Sequence, residues 1–132
     1  MTRLLVLFNH TLTPAQREDA RSSLGVEKIL QPPMPLRHLW GNLPPNASSL
    51  ADQLVPIKNW LSEEAEAGDY VLIQGDFGAC FLLVQSAFRL GLHPVYSTTQ
   101  RRAVEERVGE NEIQLSHRFQ HVLFRHYEKE EG

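Results

Sequence analysis

Apolar residues occur in short segments that predict buried strands. Leu4–Phe8 and Tyr70–Gln74 are apolar almost throughout and show no alternation of apolar and polar positions. Such segments are typical of parallel strands that are covered on both faces. Two shorter segments, Val26–Leu30 and Pro94–Ser97, predict further strands.

Strong helix signals follow the first predicted strand. Thr13 is a typical N-cap, Pro14 suits the first helical position, and Gln16 lies three residues after the cap. This combination predicts a helix that begins with a capping box. Gly25 is its expected end, because glycine adopts the left-handed conformation that often closes a helix.

Prolines divide the middle of the chain. Five of the eight prolines lie between Gln31 and Pro45, so this stretch is predicted to be an irregular loop rather than a helix. A long helix is then predicted from about Ser48 to Ala67. Pro56 should kink this helix or split it in two.

The last part of the chain predicts one more helix and a closing strand or hairpin. Ala79–Leu90 is mostly apolar and is followed by Gly91. From Ile113 onward apolar and polar residues alternate, with Gly109–Asn111 as a candidate turn. Strands and helices alternate through most of the sequence. We therefore expect a single α/β domain over residues 1–132, with a mainly parallel sheet flanked by helices.

The overall charge argues against a protein that holds long nucleic acids. The 13 basic and 16 acidic side chains give a formal net charge of −3. A protein that grips a long nucleic acid by its phosphates usually carries a positive face. A small anionic ligand held in a pocket remains compatible with this charge.

Several other classes are excluded by residue usage. The single cysteine, Cys80, excludes an internal disulfide framework and a zinc site built from several thiolates. No apolar run approaches the roughly 20 residues that span a bilayer, and no signal peptide is evident. The histidines form no metal-ligand pattern. We therefore expect a soluble, cytoplasmic protein that uses no metal or cofactor and does not contact membranes.

Three polar segments follow predicted strands: Asn9–Thr11, Gln74–Gly78 and Ser97–Arg102. In parallel α/β sheets ligands bind beyond the carboxyl ends of the strands. These segments are therefore the candidate functional residues.

The segment Gln74–Gly78 joins a predicted strand to a predicted helix. Gly75 and Gly78 would let a ligand approach the backbone closely, and the N–H groups of the following helix favour an anion such as phosphate. A plain turn in which Asp76 caps the helix explains the same residues equally well.

The other two segments offer hydroxyl groups, guanidinium groups and an imidazole. Ser97, Thr98, Thr99 and Arg101 could hold phosphate oxygens, or could cap a short helix with solvated arginines. His10 could act as a general acid or base, or could be structural.

Two further features have more than one interpretation. Trp40 could belong to a lid, anchor an interface or cover the core. His121 and Arg125 share one face of the predicted last strand and could form a polar stripe at an edge or a dimer interface.

Several segments together resemble one protein family. Phe8-Asn9-His10-Thr11-Leu12-Thr13 is similar to an N-terminal F-S-H-x-L-T pattern, with Asn9 in place of the usual serine. The other segments that carry the resemblance are Leu39–Pro45, Gly68–Ala79, Pro94–Thr99 and His121–Arg125. The family is that of the small CRISPR-associated Csx proteins of type III systems, the one numbered twenty.

This resemblance implies a CARF-like, Rossmann-like domain that binds cyclic oligoadenylate as a homodimer. It implies a ring nuclease that cleaves the ring, with cyclic tetra-adenylate the leading candidate, and so switches off the type III response. A ribose 2′-OH would attack its own phosphate without metal. A protein that sequesters the ring without cutting it is the alternative.

The resemblance also assigns roles to the candidate residues. The expected catalytic residues are His10, Asp76 and Arg101. His10 would transfer a proton, Asp76 would orient a 2′-OH or an adenine amino group, and Arg101 would hold phosphate. The expected ligand contacts are Asn9, Thr11, Gln74, Gly75, Phe77, Gly78, Ser97, Thr98 and Thr99.

Overall fold

A five-stranded sheet forms the centre of the fold. The computed structural model describes residues 1–130. The strands are β1 (Arg3–Leu7), β2 (Lys28–Leu30), β3 (Tyr70–Ile73), β4 (His93–Arg107) and β5 (Ile113–His126), in the order β2-β1-β3-β4-β5. Strands β1 to β4 pair in parallel, and β5 runs antiparallel to β4. The predicted α/β sheet, mainly parallel with a C-terminal hairpin, is thereby confirmed.

Within residues 1–130, five helices connect the strands. They are α1 (Pro14–Leu24), α2 (Met34–Gly41), α3 (Leu50–Gln53), α4 (Val55–Glu64) and α5 (Phe77–Arg89). The capping box is present, because the Thr13 hydroxyl accepts from Gln16 N and Gln16 Oε1 accepts from Thr13 N. Gly25 ends α1 in the left-handed conformation, at φ 71°. Among residues 1–130 no helix has the length and apolar character needed to cross a membrane.

Helix α2 contradicts the prediction of an irregular loop over Gln31–Pro45. Pro33 is its N-cap residue and Pro35 lies in its first turn, where backbone N–H groups have no partner within the helix. Two further prolines follow the end of the helix. The prolines therefore bracket a helix instead of preventing one. The split predicted at Pro56 is confirmed, because Leu54 separates α3 from α4.

Helices cover both faces of the sheet. Leu5 and Leu7 of β1 point to one face, where α2 to α5 pack over them. Leu4 and Val6 point to the other face, where α1 packs. All four side chains are buried, which explains why β1 lacks the alternation of a half-exposed strand.

Strand β4 is much longer than the predicted segment Pro94–Ser97. From Thr99 to Arg107 it pairs with Ile113–His121 of β5 as a two-stranded ribbon, and nearly all residues of this ribbon are exposed. The turn lies at 108–112, close to the predicted position. The sequence pattern missed this part of β4 because a strand exposed on both faces carries no apolar signal.

Candidate functional site

The carboxyl ends of β1 and β3 border a polar pocket. After β1 the chain goes to β2 on one side of the sheet, and it later returns to β3 on the other side of β1. Such a change of direction leaves a crevice in which α/β proteins bind ligands. The pocket here, which we call the strand-end pocket, has a volume of about 450 Å³. It is lined by Phe8, Asn9, His10, Thr11, Thr13, Gln16, Gln74, Gly75, Thr99, Phe119 and His121.

Six of the predicted site residues line this pocket together: Asn9, His10, Thr11, Gln74, Gly75 and Thr99. His10 lies in the loop that follows β1, after Phe8 and Asn9, and is exposed. Its ring meets the Phe8 ring edge-on, with centroids 5.3 Å apart, which limits the orientations of the imidazole. An imidazole at this place can donate a hydrogen bond to a bound ligand or accept one from it.

Gln74 connects the ends of three strands. Its N–H donates to Leu7 O at 3.0 Å, which extends the pairing of β1 and β3 by one residue. Its side-chain Oε1 accepts from Ser97 N at 2.7 Å and so ties β3 to β4. Gln74 is therefore held firmly although it lies at the pocket wall.

Trp40 packs on the turn that follows β3. Its indole Nε1 donates to Gln74 O at 2.9 Å, and the side chain is almost fully buried. A Cβ added to Gly75 would lie 3.0 Å from that Nε1 atom. The glycine therefore makes room for the indole, and of the three interpretations of Trp40 the structure supports cover of the core.

Asp76, Phe77 and Gly78 do not line the strand-end pocket. Asp76 Oδ2 accepts from Ala79 N at 2.9 Å, so Asp76 is the N-cap of α5. A Cβ on Gly78 would lie 2.7 Å from Leu50 Cδ1, so this glycine permits close packing of α3 against α5. Phe77 is 94% exposed and lines a different surface.

That surface is an apolar groove of about 880 Å³ between α5 and the C-terminal segment. Its aromatic lining residues are Phe77, Phe81, Phe88, Tyr96 and Tyr127. Burial raises the pKa of Tyr127 to about 12, and its hydroxyl donates to Ile73 O at 2.7 Å. Burial also raises the pKa of the neighbouring Cys80 thiol, which disfavours the nucleophilic thiolate.

Alternation along β4 separates its predicted site residues. Ser97, Thr99 and Arg101 share one face, whereas Thr98 points to the other. The Thr98 hydroxyl donates to Leu123 O at 3.1 Å and accepts from Leu123 N at 3.2 Å. Arg101 is exposed and lies beyond Thr99 along the ribbon, outside the pocket wall. These residues lie within β4, so the prediction that Ser97–Arg102 follows a strand is wrong.

A β-bulge overturns the predicted stripe of His121 and Arg125. Between the pairs Ser97–Phe124 and Thr99–His121, one residue of β4 faces two of β5. The extra residue turns His121 toward Ser97 on the face covered by α1. Arg125 lies on the opposite face, where it donates to the Tyr96 hydroxyl.

Ser97 and His121 belong to a buried chain of hydrogen bonds. Ser97 Oγ lies 3.3 Å from Gln16 Nε2 and 2.5 Å from His121 Nδ1. On the other side of the ring, His121 Nε2 lies 2.7 Å from Asp19 Oδ2. The His121 side chain is 5% exposed, and this chain of contacts links α1 to β4 and β5.

Comparison with known proteins assigns the chain to a family. A family model described as "Uncharacterized protein MJ1673 family" matches residues 2–125. The chain belongs to the MJ1673 family. The protein named "Uncharacterized protein MJ1673" from Methanocaldococcus jannaschii is 41% identical over 127 residues, covering 96% of this chain and 98% of the relative. No solved structure matches the chain.

Most of the residues that line the strand-end pocket of this MJ1673 family member are polar. Among residues 1–130, none of those that line it is Lys, Arg, Asp or Glu, and its two imidazoles are those of His10 and His121. Residues 1–130 contain no group of three or more His, Cys, Asp or Glu side chains that could hold a metal ion. Any strong positive charge near a ligand must therefore come from outside the pocket wall, for which Arg101 is a candidate.

Sequence reasoning did not assign five of the lining residues to the site: Phe8, Thr13, Gln16, Phe119 and His121. It also missed Asp19, which contacts His121. Gln16 was noticed only as part of the helix cap, although its amide also reaches Ser97. Asp19 follows Gln16 by three residues, so both lie on the same face of α1. That spacing was the available signal, but the partner of Asp19 is 102 residues away.

Asp19 should contribute to the free energy of unfolding in a way that depends on pH, and the Asp19→Asn variant should lose this contribution. Burial opposes ionisation of Asp19, but hydrogen bonds from Ser23 and His121 outweigh it and leave its pKa below the usual value of 3.8. Between the folded and unfolded pKa values the unfolded state binds more protons. This stability is therefore present above the unfolded pKa and is lost as pH falls through the folded value.

We expect Asp19→Asn to lower the free energy of unfolding by about 1–2 kcal/mol at pH 7, because a charged hydrogen bond is lost. The difference from wild type should shrink as pH falls below about 4. Urea unfolding between pH 3 and 7 measures it, with Glu63→Gln, which replaces an exposed carboxylate of α4, as control. A constant difference across this range would contradict the assignment.

Proposed function

We propose that this protein binds a cyclic oligoadenylate at the strand-end pocket and cleaves it, with cyclic tetra-adenylate the leading candidate. The supporting observation is that Asn9, His10 and Thr11 border one pocket with Gln74 and Gly75. Both segments carry the resemblance to the Csx family described above. In this role the protein would act in the cytoplasm as a ring nuclease that switches off a type III CRISPR response.

A CARF-like, Rossmann-like domain is part of the proposal. The strand order β2-β1-β3-β4-β5 is one that doubly wound sheets use, with the ligand crevice between β1 and β3. The strand-end pocket occupies that crevice. This agreement supports the proposed relationship.

The proposed reaction is attack of a ribose 2′-OH on its adjacent phosphate. The new O–P bond forms as the 2′-OH releases its proton to solvent water and the bond to the 5′-oxygen breaks, leaving a 2′,3′-cyclic phosphate and a 5′-hydroxyl. The protein must hold these atoms in line and stabilise the charge on the phosphate. No metal is required, because the nucleophile belongs to the substrate.

The side chains supply the remaining functions. His10 donates a proton to the leaving 5′-oxygen, Thr99 donates a hydrogen bond to phosphate, and Arg101 balances its charge. Asn9, Thr11 and Gln74 contact ribose or base. Asp76 caps α5 and so holds the turn after Gly75 in place without touching the ligand.

A second copy of the chain completes the proposed site. A pocket of about 450 Å³ suits one small ligand, so a ring of four nucleotides would extend beyond it. The ribbon of β4 and β5 exposes Val108, Ile113, Leu115 and Phe119, and isolated two-stranded ribbons are marginally stable. A homodimer that packs these ribbons together would cover the apolar residues and bring Arg101 from both copies to the ring.

Sequestration without cleavage is the alternative function. One observation favours it: both ring nitrogens of His121 are engaged inside the protein, so proton transfer depends on His10. If His10 does not reach the leaving oxygen, the same pocket would bind the ring and leave it intact.

The test is incubation of cyclic tetra-adenylate with excess protein in EDTA, followed by denaturation and chromatography. Linear di-adenylate ending in a 2′,3′-cyclic phosphate is the expected product. Intact ring recovered after it has bound the protein would support sequestration instead. Absence of binding in equilibrium dialysis would overturn both functions, and a monomer in sedimentation with the ring present would overturn the shared site.

A further inference from the structure

The hydrogen-bond chain around Ser97 has a defined direction. Gln16 Oε1 accepts from Thr13 N in the capping box, so its Nε2 is the atom that faces Ser97 and donates. Since Ser97 Oγ accepts from Gln16, its own proton is free to point at His121 Nδ1, 2.5 Å away. The oxygen and nitrogen of a Gln side chain are usually assigned only from its hydrogen bonds. Here the helix cap determines which atom of Gln16 faces Ser97.

Asp19 fixes the other side of the imidazole. Its Oδ2 lies 2.7 Å from His121 Nε2, and its Oδ1 accepts from the Ser23 hydroxyl at 2.5 Å. A carboxylate can only accept, so Nε2 carries a proton, and in the neutral imidazole Nδ1 then faces Ser97 as an acceptor. A hydroxyl, an imidazole base and an orienting carboxylate therefore stand in series.

We propose that Ser97, His121 and Asp19 form a nucleophilic triad that hydrolyses small uncharged carboxylic esters. The roles are those of a serine nucleophile activated by an imidazole that a third group orients. The two ring nitrogens are used in the opposite order from serine proteases, where the serine meets Nε2. Either nitrogen can accept the serine proton, provided that the other donates to the carboxylate.

Ser97 is not one of the residues that line the strand-end pocket, but it contacts three that are. The three side chains that contact it, those of Gln16, Gln74 and His121, all line that pocket. Ser97 itself is 6% exposed, so it can meet only a small substrate. Within the part of the chain that the structure describes, the pocket lining carries no Lys, Arg, Asp or Glu, so an uncharged ester that enters it displaces no ion pair and buries no unpaired charge.

Donors for the developing oxyanion stand next to the nucleophile. Gln74 Oε1 contacts Ser97 N, so the amide NH₂ of Gln74 lies close to the same residue. Gln16 keeps a second Nε2 hydrogen besides the one directed at Ser97. Side-chain amides in such a place stabilise negative charge on the former carbonyl oxygen.

The reaction balances with water as the co-reactant. Ser97 Oγ bonds to the ester carbonyl carbon while its proton moves to His121 Nδ1. The C–O bond to the alcohol then breaks, and the alcohol leaves with that proton. Water attacks the acyl-serine, passes a proton through His121 to Ser97 Oγ, and releases the carboxylic acid.

Diisopropyl fluorophosphate, a small phosphorylating agent, tests the triad without any nucleotide. We expect one equivalent to attach to Ser97 with loss of fluoride, as read by intact mass and peptide mapping. His121→Gln should slow the reaction by about 100-fold or more, and Asp19→Asn by about tenfold or more. Hydrolysis of p-nitrophenyl acetate should fall in parallel and vanish in Ser97→Ala.

Two controls distinguish a reactive Ser97 from a serine that is only buried and hydrogen-bonded. Ser86, another buried serine, donates to Leu82 O instead of an imidazole and should stay unlabelled in the same sample. His38→Ala, which removes an exposed histidine on α2, should label at the wild-type rate. Wild-type protein with a native circular dichroism spectrum that gains no adduct at Ser97 would overturn the triad, as would equal labelling of His121→Gln. Neither result depends on whether cyclic oligoadenylate is bound or cut.

Discussion

The His10→Ala variant is expected to cleave cyclic tetra-adenylate about 100-fold more slowly than wild type in single-turnover reactions. The reason is that His10 is the pocket imidazole proposed to protonate the leaving oxygen, whereas both nitrogens of His121 are occupied. Binding should change by less than about threefold, because the exposed His10 ring contributes little to the pocket wall besides its contact with Phe8. Quenched time courses with excess protein measure the rate, and equilibrium dialysis measures the affinity.

Two other variants make the result specific. His38→Ala removes an exposed histidine that does not line the pocket and should behave as wild type. Arg101→Ala should instead lower the affinity for cyclic tetra-adenylate. Its single-turnover cleavage rate should return to the wild-type value once the protein is saturating. An unchanged single-turnover rate in His10→Ala would remove His10 from the mechanism.

The centre of the site could be predicted from the sequence, because the rule that locates it depends only on the residues next to each strand. Two unbroken apolar segments predicted β1 and β3, and parallel strands end at the same edge of a sheet. Residues in the loops that follow those strands, such as His10 and Gln74, therefore come together. This inference needed no knowledge of side-chain packing.

The glycine motif shows why the rest of the site was harder to predict. The pattern Gln74–Gly78 suits both a phosphate cradle and a tightly packed turn, because both need a backbone without Cβ. The structure shows Trp40 against Gly75 and Leu50 against Gly78. Which neighbour fills the space depends on α2 and α3, and α2 lies in the stretch where prolines suggested a loop.

Contacts between distant segments were beyond sequence reasoning. Asp19 and His121 are 102 residues apart, and they meet because the bulge in β5 shifts the alternation of the strand. Without the bulge, period-two alternation puts His121 and Arg125 on one face, as predicted. One extra residue moved them to opposite faces, and no pattern in Ile113–His126 signals its position.

The Trp40→Ala variant is expected to lose about 3–5 kcal/mol of the free energy of unfolding. Trp40 is 2% exposed and packs with Leu54 and Ile57 in the larger core cluster, so its removal leaves a cavity. Urea unfolding at neutral pH measures the loss. Trp40→Phe is the matched variant, because it keeps most of the ring but removes the donor to Gln74 O, and it should cost about 1 kcal/mol for that hydrogen bond plus any repacking.

Trp40→Ala should also weaken ligand binding, because the indole holds the turn that forms the pocket wall. Trp40 contacts Gln74 and Gly75, and the Gln74 side chain in turn fixes Ser97 N. Loss of the indole should therefore lower the affinity of the folded Trp40→Ala protein by about tenfold, whereas Trp40→Phe changes it less. If both variants bind as wild type, the turn is held by other contacts, and Trp40 acts on stability alone.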